Sequence, residues 1–206
     1  RPDVPKLTEL VRSLGLTAAT HAVVVSSGSD ATDFGAAARV YWTLKVLGLK
    51  ELSLLNGGVK AWADAKLAQD TAVAKVVPSD YSPRLDSSLI ATRDEVAQDV
   101  GKGTAVLIDA RPKAFFEGEA RHAAAKVPGT VQGAVNLEYS RLFEAEQSGV
   151  LQTEKVRAAA SAIDPKKETV AFCNTGHWAA TDWFALSEVL GQKNVKLYPG
   201  SMVDWT

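Results

Sequence analysis

The chain is poor in the residues that bind metals and cross-link folds: its 206 residues include one cysteine and three histidines. One cysteine excludes an intrachain disulfide and a thiolate zinc cluster, and His21, His122 and His177 are too scattered for ligand spacing. Net charge is nearly absent as well. With 23 basic residues against 24 acidic ones, the balance of −1 creates no field for nucleic acid or an anionic membrane, so neither partner is expected. No apolar run approaches the length of a membrane-spanning helix, and Arg1-Pro2-Asp3-Val4-Pro5 lacks the charged-then-apolar form of a secretory leader. What remains is an ordinary globular composition, 46% hydrophobic and 23% charged, expected to be soluble. The compartment, cytoplasm or bacterial periplasm, stays open because a cleaved leader leaves no trace.

Against these absences stands an alternation of short apolar runs and amphipathic stretches. Val23-Val24-Val25 reads as a strand and Ser26 to Asp30 as a loop of turn formers. From Thr32 or Asp33 as cap, Phe34 to Leu47 has helical spacing until Gly48. Leu52 to Leu55 is the next strand, Asn56-Gly57-Gly58 a turn, and Val59 to Ala65 a short helix. Residues 69–88, with Pro78 and Pro83 and no steady period, read as a linker. The pattern then restarts. Thr92 to Glu95 has the form of a capping box leading a helix through Val100. Val106 to Ile108 is a strand running into Asp109-Ala110-Arg111, followed by a polar excursion from Pro112 to Gln132. Ala134 to Leu137 is a brief strand, Tyr139 to Glu146 a helix or turn, and Thr153 to Ile163 a helix. Val170 to Phe172 is a strand, Ala179 to Leu190 a helix, and Val195 to Tyr198 a strand before the Pro199-Gly200-Ser201 turn and a last helix containing Trp205. Strands alternating with helices predict an α/β fold, a parallel sheet flanked by helices.

An internal repeat organises this order. Val46-Leu47-Gly48, Leu52 to Leu55, Gly57 and Trp62 recur in register as Val189-Leu190-Gly191, Val195 to Tyr198, Gly200 and Trp205. Two related units are therefore expected: residues 1–68 as the C-terminal part of a first domain, 69–88 as linker, and 89–206 as a second, nearly complete domain. Ser26 falls about where Cys173 falls in the second unit, after which the first loop reads as the longer. Nothing before Val23 matches Val106 to Asn136, so the first unit lacks its N-terminal half. The sheet edge left unpaired would seek a partner, and another chain could supply the missing half.

Cys173 ends an apolar strand and precedes Asn174, Thr175, Gly176, His177 and Trp178, then a helix. A sulfur in a strand-to-helix loop meets backbone N–H donors and a helix N-terminus, which stabilise a sulfur anion. The competing reading is a packed structural cysteine. Two reactive alternatives are excluded locally. A cysteine phosphatase needs an arginine six residues on, where Ala179 stands, and a dithiol redox site needs a second cysteine where Gly176 stands.

Leu107-Ile108-Asp109-Ala110-Arg111, Gly129-Thr130-Val131-Gln132-Gly133-Ala134-Val135-Asn136, Cys173-Asn174-Thr175-Gly176 and Tyr198-Pro199-Gly200-Ser201 with Trp205 together resemble the tandem-domain rhodaneses, the thiosulfate and 3-mercaptopyruvate sulfurtransferases. The resemblance implies that residues 1–68 belong to a non-catalytic first domain without the cysteine, matching Ser26, and that 89–206 form the catalytic domain. It also implies a Cys173 that accepts a sulfane sulfur as a persulfide and passes it to cyanide or a thiol. Amides from Asn174 to Trp178 would form the anion-binding loop, and neither metal nor organic cofactor is required. Arg111 is the residue expected to orient an anionic donor, with Arg121 a second candidate from the excursion and Asp109 structural. His177 is expected either to donate to a bound anion or leaving group or to wall the pocket, Trp178 to wall it, and Arg121 and His122 to lie on the excursion, solvated for the most part but able to approach the pocket. The partners implied are small-molecule donors and acceptors. Asn174 stands where many members have arginine, and Thr130 where the family has histidine. The bulky His177 and Trp178 narrow the entrance, which opens the alternative of a non-enzymatic sulfur carrier or partner-binding module.

Overall fold

The computed structural model describes residues 3–144 and 149–206. Its first element is one that the sequence pattern had passed over: α1 (Val4–Ser13), capped by the Asp3 carboxylate on the Lys6 N–H at 2.9 Å and burying Leu7 and Val11. The short parallel pair β1 (Ala22–Val24) and β2 (Leu52–Leu54) follows, separated by α2 (Ala31–Val46) and trailed by α3 (Gly58–Asp64). The cap of α2 is Asp30, not Thr32 or Asp33, because Asp30 is extended and its carboxylate accepts from the Asp33 N–H at 2.9 Å. Gly48 ends the helix at φ +94°, and a Cβ there would lie 2.7 Å from the Arg84 carbonyl.

That approach of Arg84 reveals what the linker does. Residues 69–77 are exposed, but from Ser79 onward the segment is pinned to the first unit. The Ser79 N–H donates to the Arg12 carbonyl at 2.9 Å, the Arg12 Nε to the Tyr81 carbonyl at 2.8 Å, and the buried Tyr81 hydroxyl to the Leu47 carbonyl at 2.9 Å. The second part of the linker is thus a strap, held because Tyr81 buries its ring among Leu7, Val11, Leu47 and Leu49.

The second unit begins at α4 (Arg93–Asp99), where both halves of the Thr92/Glu95 capping box form. Then come β3 (Ala105–Asp109), a single turn α5 (Lys113–Phe116) inside the excursion, and β4 (Val135–Asn136). The expected helix or turn from Tyr139 begins as one 3-10 turn, Tyr139–Leu142, while Ala145 and Glu146 lie outside the described residues. After α6 (Thr153–Ala159), which stops short of Ile163 in tight turns, β5 (Glu168–Phe172) delivers Cys173. Next is α7 (Trp178–Phe184), which widens into a π-turn over Ala185–Val189, then β6 (Val195–Leu197) and α8 (Ser201–Trp205). The strand order is β4-β3-β5-β6, every pairing parallel.

Register places the two cysteine-type positions together. Ala22 pairs with Leu52 and Val24 with Leu54 in the first sheet, as Thr169 pairs with Val195 and Ala171 with Leu197 in the second. Ser26 and Cys173 each stand two residues past the last of these pairs. Their carbonyls accept equivalent bonds, from the Val59 N–H at 2.9 Å and the Met202 N–H at 3.0 Å. Both following helices start five residues on, so the first loop is not the longer one. One apolar cluster runs through both units, with Phe34, Ala38 and Trp42 of α2 against Ala180 and Trp183 of α7. At Gly35 a Cβ would sit 3.0 Å from the His177 carbonyl, so glycine lets α2 close on the beginning of α7.

Candidate active site

Cys173 is 1% exposed, and its loop turns tightly around the sulfur. The Gly176 N–H donates to Sγ at 3.0 Å. Only glycine fits there: φ is +89°, and a Cβ would meet Arg39 Nη1 at 2.2 Å and the Pro199 carbonyl oxygen at 2.9 Å. The Gly176 carbonyl is held from behind by Arg39 Nη1 at 3.1 Å. On the adjacent turn the Ser201 hydroxyl accepts from the Cys173 N–H at 3.0 Å and donates to the Tyr198 carbonyl at 2.9 Å. Ser201 does so at φ +53°, the conformation Gly58 adopts at the matching place in the first unit, φ +59°.

Asp109 and Arg111 leave the neighbouring strand as an almost fully buried pair, 0% and 2% exposed. Arg111 donates from Nε to Asp109 Oδ1 at 2.9 Å, and from Nη2 to Asp109 Oδ2 at 2.6 Å and to the Gly129 carbonyl at 2.8 Å. Thr130 donates its hydroxyl to Asp109 at 2.7 Å, and Asn136 donates to the carbonyls of Asp109 and Arg111 at 2.9 and 2.8 Å. The Gly129–Asn136 segment therefore clamps the strand end, with Thr130 as part of the clamp. Arg111 reaches the cysteine loop through Nη1 to Asn174 Oδ1 at 3.4 Å. It lies behind the pocket and is not among the residues lining it, so direct donor contact is not where its geometry leads. One turn into α7, the wholly buried Asp182 has no hydrogen-bond partner for either oxygen among the described residues. Burial, with a smaller push from Asp109, holds its carboxyl protonated well above the usual range.

The pocket over the sulfur, about 200 Å³, is lined by Thr32, His122, Asn174, Thr175, His177 and Trp178 together with Cys173. Trp178 forms its wall by a clasp that spans the two units. Its indole Nε1 donates to the Thr32 hydroxyl at 3.2 Å, and Thr32 shares a bond with the Tyr139 hydroxyl at 3.1 Å. Tyr139 stacks on Trp178 at 4.8 Å, and Phe115 meets Trp178 edge-on at 6.3 Å. Sequence reasoning missed Thr32, a residue of another helix in the other unit. Of two neighbours on the excursion that could approach the pocket, it favoured Arg121 over His122. Arg121 turns back to the Ala125 carbonyl, whereas His122 lines the pocket. His177 retains solvent contact, yet partial burial, reinforced by the Arg39 guanidinium, lowers its pKa from the ordinary value.

This geometry has known counterparts. Residues 92–206 match the rhodanese-like domain family. The chain belongs to that family. A Mycolicibacterium smegmatis protein that carries the provisional name thiosulfate sulfurtransferase is 32% identical over 98% of this chain and 74% of its own length. The 3-mercaptopyruvate sulfurtransferase of Rattus norvegicus is 29% identical over 99% of this chain and 68% of that protein. Both alignments run through the first unit as well as the rhodanese-like domain. In structure, the chain is similar to SseA of Escherichia coli, described among 3-mercaptopyruvate sulfotransferases. The TM-score is 0.81 at 24% identity, covering 95% of this chain and 72% of the other, a likeness of fold. No helix among the described residues is long and apolar enough to cross a membrane.

Proposed function

We propose that the chain is a sulfurtransferase that moves a sulfane sulfur from thiosulfate or a related donor to a thiol or cyanide through a persulfide on Cys173. The observation that carries this reading is the Gly176 N–H on Sγ at 3.0 Å at the floor of a small pocket. In the first half-reaction the Cys173 thiolate forms a bond to the sulfane sulfur. The donor's own bond to that sulfur breaks, and its electron pair leaves with the departing group. The persulfide then carries the charge where the loop of Asn174 to Trp178 supplies N–H groups. In the second half-reaction an acceptor attacks the outer sulfur, and the thiolate returns. Splitting one transfer into two gives ping-pong kinetics. Arg111, fixed by Asp109, acts by holding Asn174 and hence the loop.

The same reading divides the chain into a first unit over 1–68 that carries no nucleophile, a connecting segment over 69–88, and a catalytic domain over 89–206. Among the described residues β1 is paired on one side only, by β2, and its other side, beside the exposed Val23, is the edge where further strands, from another segment or chain, would pair. A second reading, a carrier that holds sulfur without efficient turnover, is favoured by the Trp178–Tyr139–Thr32 wall narrowing the entrance. Steady-state assay of thiocyanate formation from thiosulfate and cyanide separates the two. Saturation with parallel double-reciprocal lines supports the enzyme. Stoichiometric loading without turnover leaves the carrier.

A further inference from the structure

The pocket is notable for the cations it does not use. Among the described residues its lining includes no lysine or arginine. Arg111 is spent on Asp109, Gly129 and Asn174, Arg121 on Ala125, and Arg39 on Gly176 from behind the loop while lying 4.9 Å from the centre of the Trp42 ring. An anionic donor nonetheless has to be held while its leaving group gains charge. Two imidazoles line the pocket, and they differ. His177 Nδ1 is engaged by the Thr175 hydroxyl at 3.3 Å, and burial and Arg39 both favour its neutral form. His122 is built into its own turn: its Nδ1 accepts the Ala124 N–H at 3.2 Å, and the Ala125 N–H returns to the His122 carbonyl at 3.0 Å. An imidazole whose Nδ1 accepts carries its proton on Nε2, so the tautomer is set by the backbone and Nε2–H is the donor left for the pocket.

Building on the sulfurtransferase reading, we propose that His122 is the residue that orients the donor and receives its leaving group, in the place the sequence assigned to Arg111 and Arg121. With thiosulfate, the new bond joins Cys173 Sγ to the sulfane sulfur. The old sulfur–sulfur bond breaks with its electron pair going to sulfite, whose oxygens accept the His122 Nε2–H. That hydrogen bond strengthens as charge moves onto sulfite, so it favours the transition state over bound donor. Once sulfite has left, His122 has no part in the attack of a small acceptor on the persulfide.

The test separates the two half-reactions on the full chain. Persulfide formation from thiosulfate is followed by intact mass in single turnover, and its removal by cyanide is timed on preloaded protein. His122→Ala slows loading about 10- to 100-fold, the cost of one donor at a developing charge, and leaves the cyanide step unchanged. His122→Gln, which retains an N–H, recovers loading to within a few-fold. Unchanged loading in His122→Ala, or equal slowing of both steps in both variants, overturns the proposal. If wild-type protein loads no sulfur at all, the sulfurtransferase reading fails, and this proposal with it.

Discussion

Two loops at the same place in the fold have opposite fates. Each follows the last paired residue of a parallel strand, precedes a helix by the same distance, and is braced by the next turn through matching backbone bonds. In the first, the Asp33 carboxylate folds back and accepts the Gly28 N–H at 2.7 Å. Burial raises the Asp33 pKa, but the bonds from Gly28, Ser26 and Ser27 outweigh that and hold it below the ordinary value. The loop is also roofed: a Cβ on Gly149 would lie 2.5 Å from the Gly28 carbonyl. In the second, the residue matching Asp33 is Ala180, no carboxylate enters, and Gly176 turns its N–H onto sulfur under an open pocket. The lesson is that such a loop gathers N–H donors and calls for an anion. The first unit supplies one permanently, whereas the second leaves the place for a thiolate, a persulfide and a donor.

The strongest way to break this contrast is to exchange the nucleophiles. Cys173→Ser abolishes turnover, on the order of 10³-fold or more, in a thiocyanate assay. Ser26→Cys added to it restores none, because Asp33 and Gly149 close that loop. Gly176→Ala comes next. The added Cβ collides with Arg39 and Pro199 and suffers the strain of positive φ. It should lower the donor step about 100-fold and stability by about 1–3 kcal/mol in denaturant titration. Asp182→Val, which replaces an unpartnered buried acid with an apolar group, should raise stability at neutral pH by about 1–2 kcal/mol. Its sign with pH can also be checked. A carboxyl whose folded pKa is raised keeps its full contribution below the unfolded value near ~4. It loses that contribution as pH climbs toward the folded pKa, so the advantage of the variant grows with pH over that range. The smallest effect is expected from Asp33→Asn, about 0.5–1 kcal/mol, since the carboxylate is only partly buried. Here the folded pKa is lowered. The wild-type advantage is present above the ordinary carboxylate value and disappears as pH falls through the folded one, as acid titration of the two proteins would show.

How far the sequence led depends on whether a feature is local. The strand–Cys173–loop–helix order, the Thr92/Glu95 box and the parallel α/β fold were legible because each is written in neighbouring residues or in periodicity. The repeat gave the pairing of Ser26 with Cys173 for the same reason, and strand register agrees with it. Thr32 in the pocket was not legible, since it arrives on α2 through the close approach at Gly35. Arg111 was read as a donor ligand from its place at a strand end, but three acceptors around it decide where its guanidinium points. Between Arg121 and His122, chain order carried no information about which side chain turns inward. The Tyr81 strap hid in a segment whose composition looks like a free linker, because one buried ring and a few bonds to distant backbone groups dock it, and neither leaves a periodic pattern.

On the proposed function, sulfur uptake belongs to Cys173 and not to Ser26, its counterpart in the first unit. This is tested most directly by incubating the wild type, Cys173→Ser and the Ser26→Cys/Cys173→Ser pair with thiosulfate, then measuring intact mass and mapping the modified peptide. The expected result is a gain of one sulfur atom on the wild type, carried by the Cys173 peptide and removed by cyanide, and none on either variant. A sulfur retained by Cys173→Ser, or loading at position 26 as efficient as at Cys173, would contradict it.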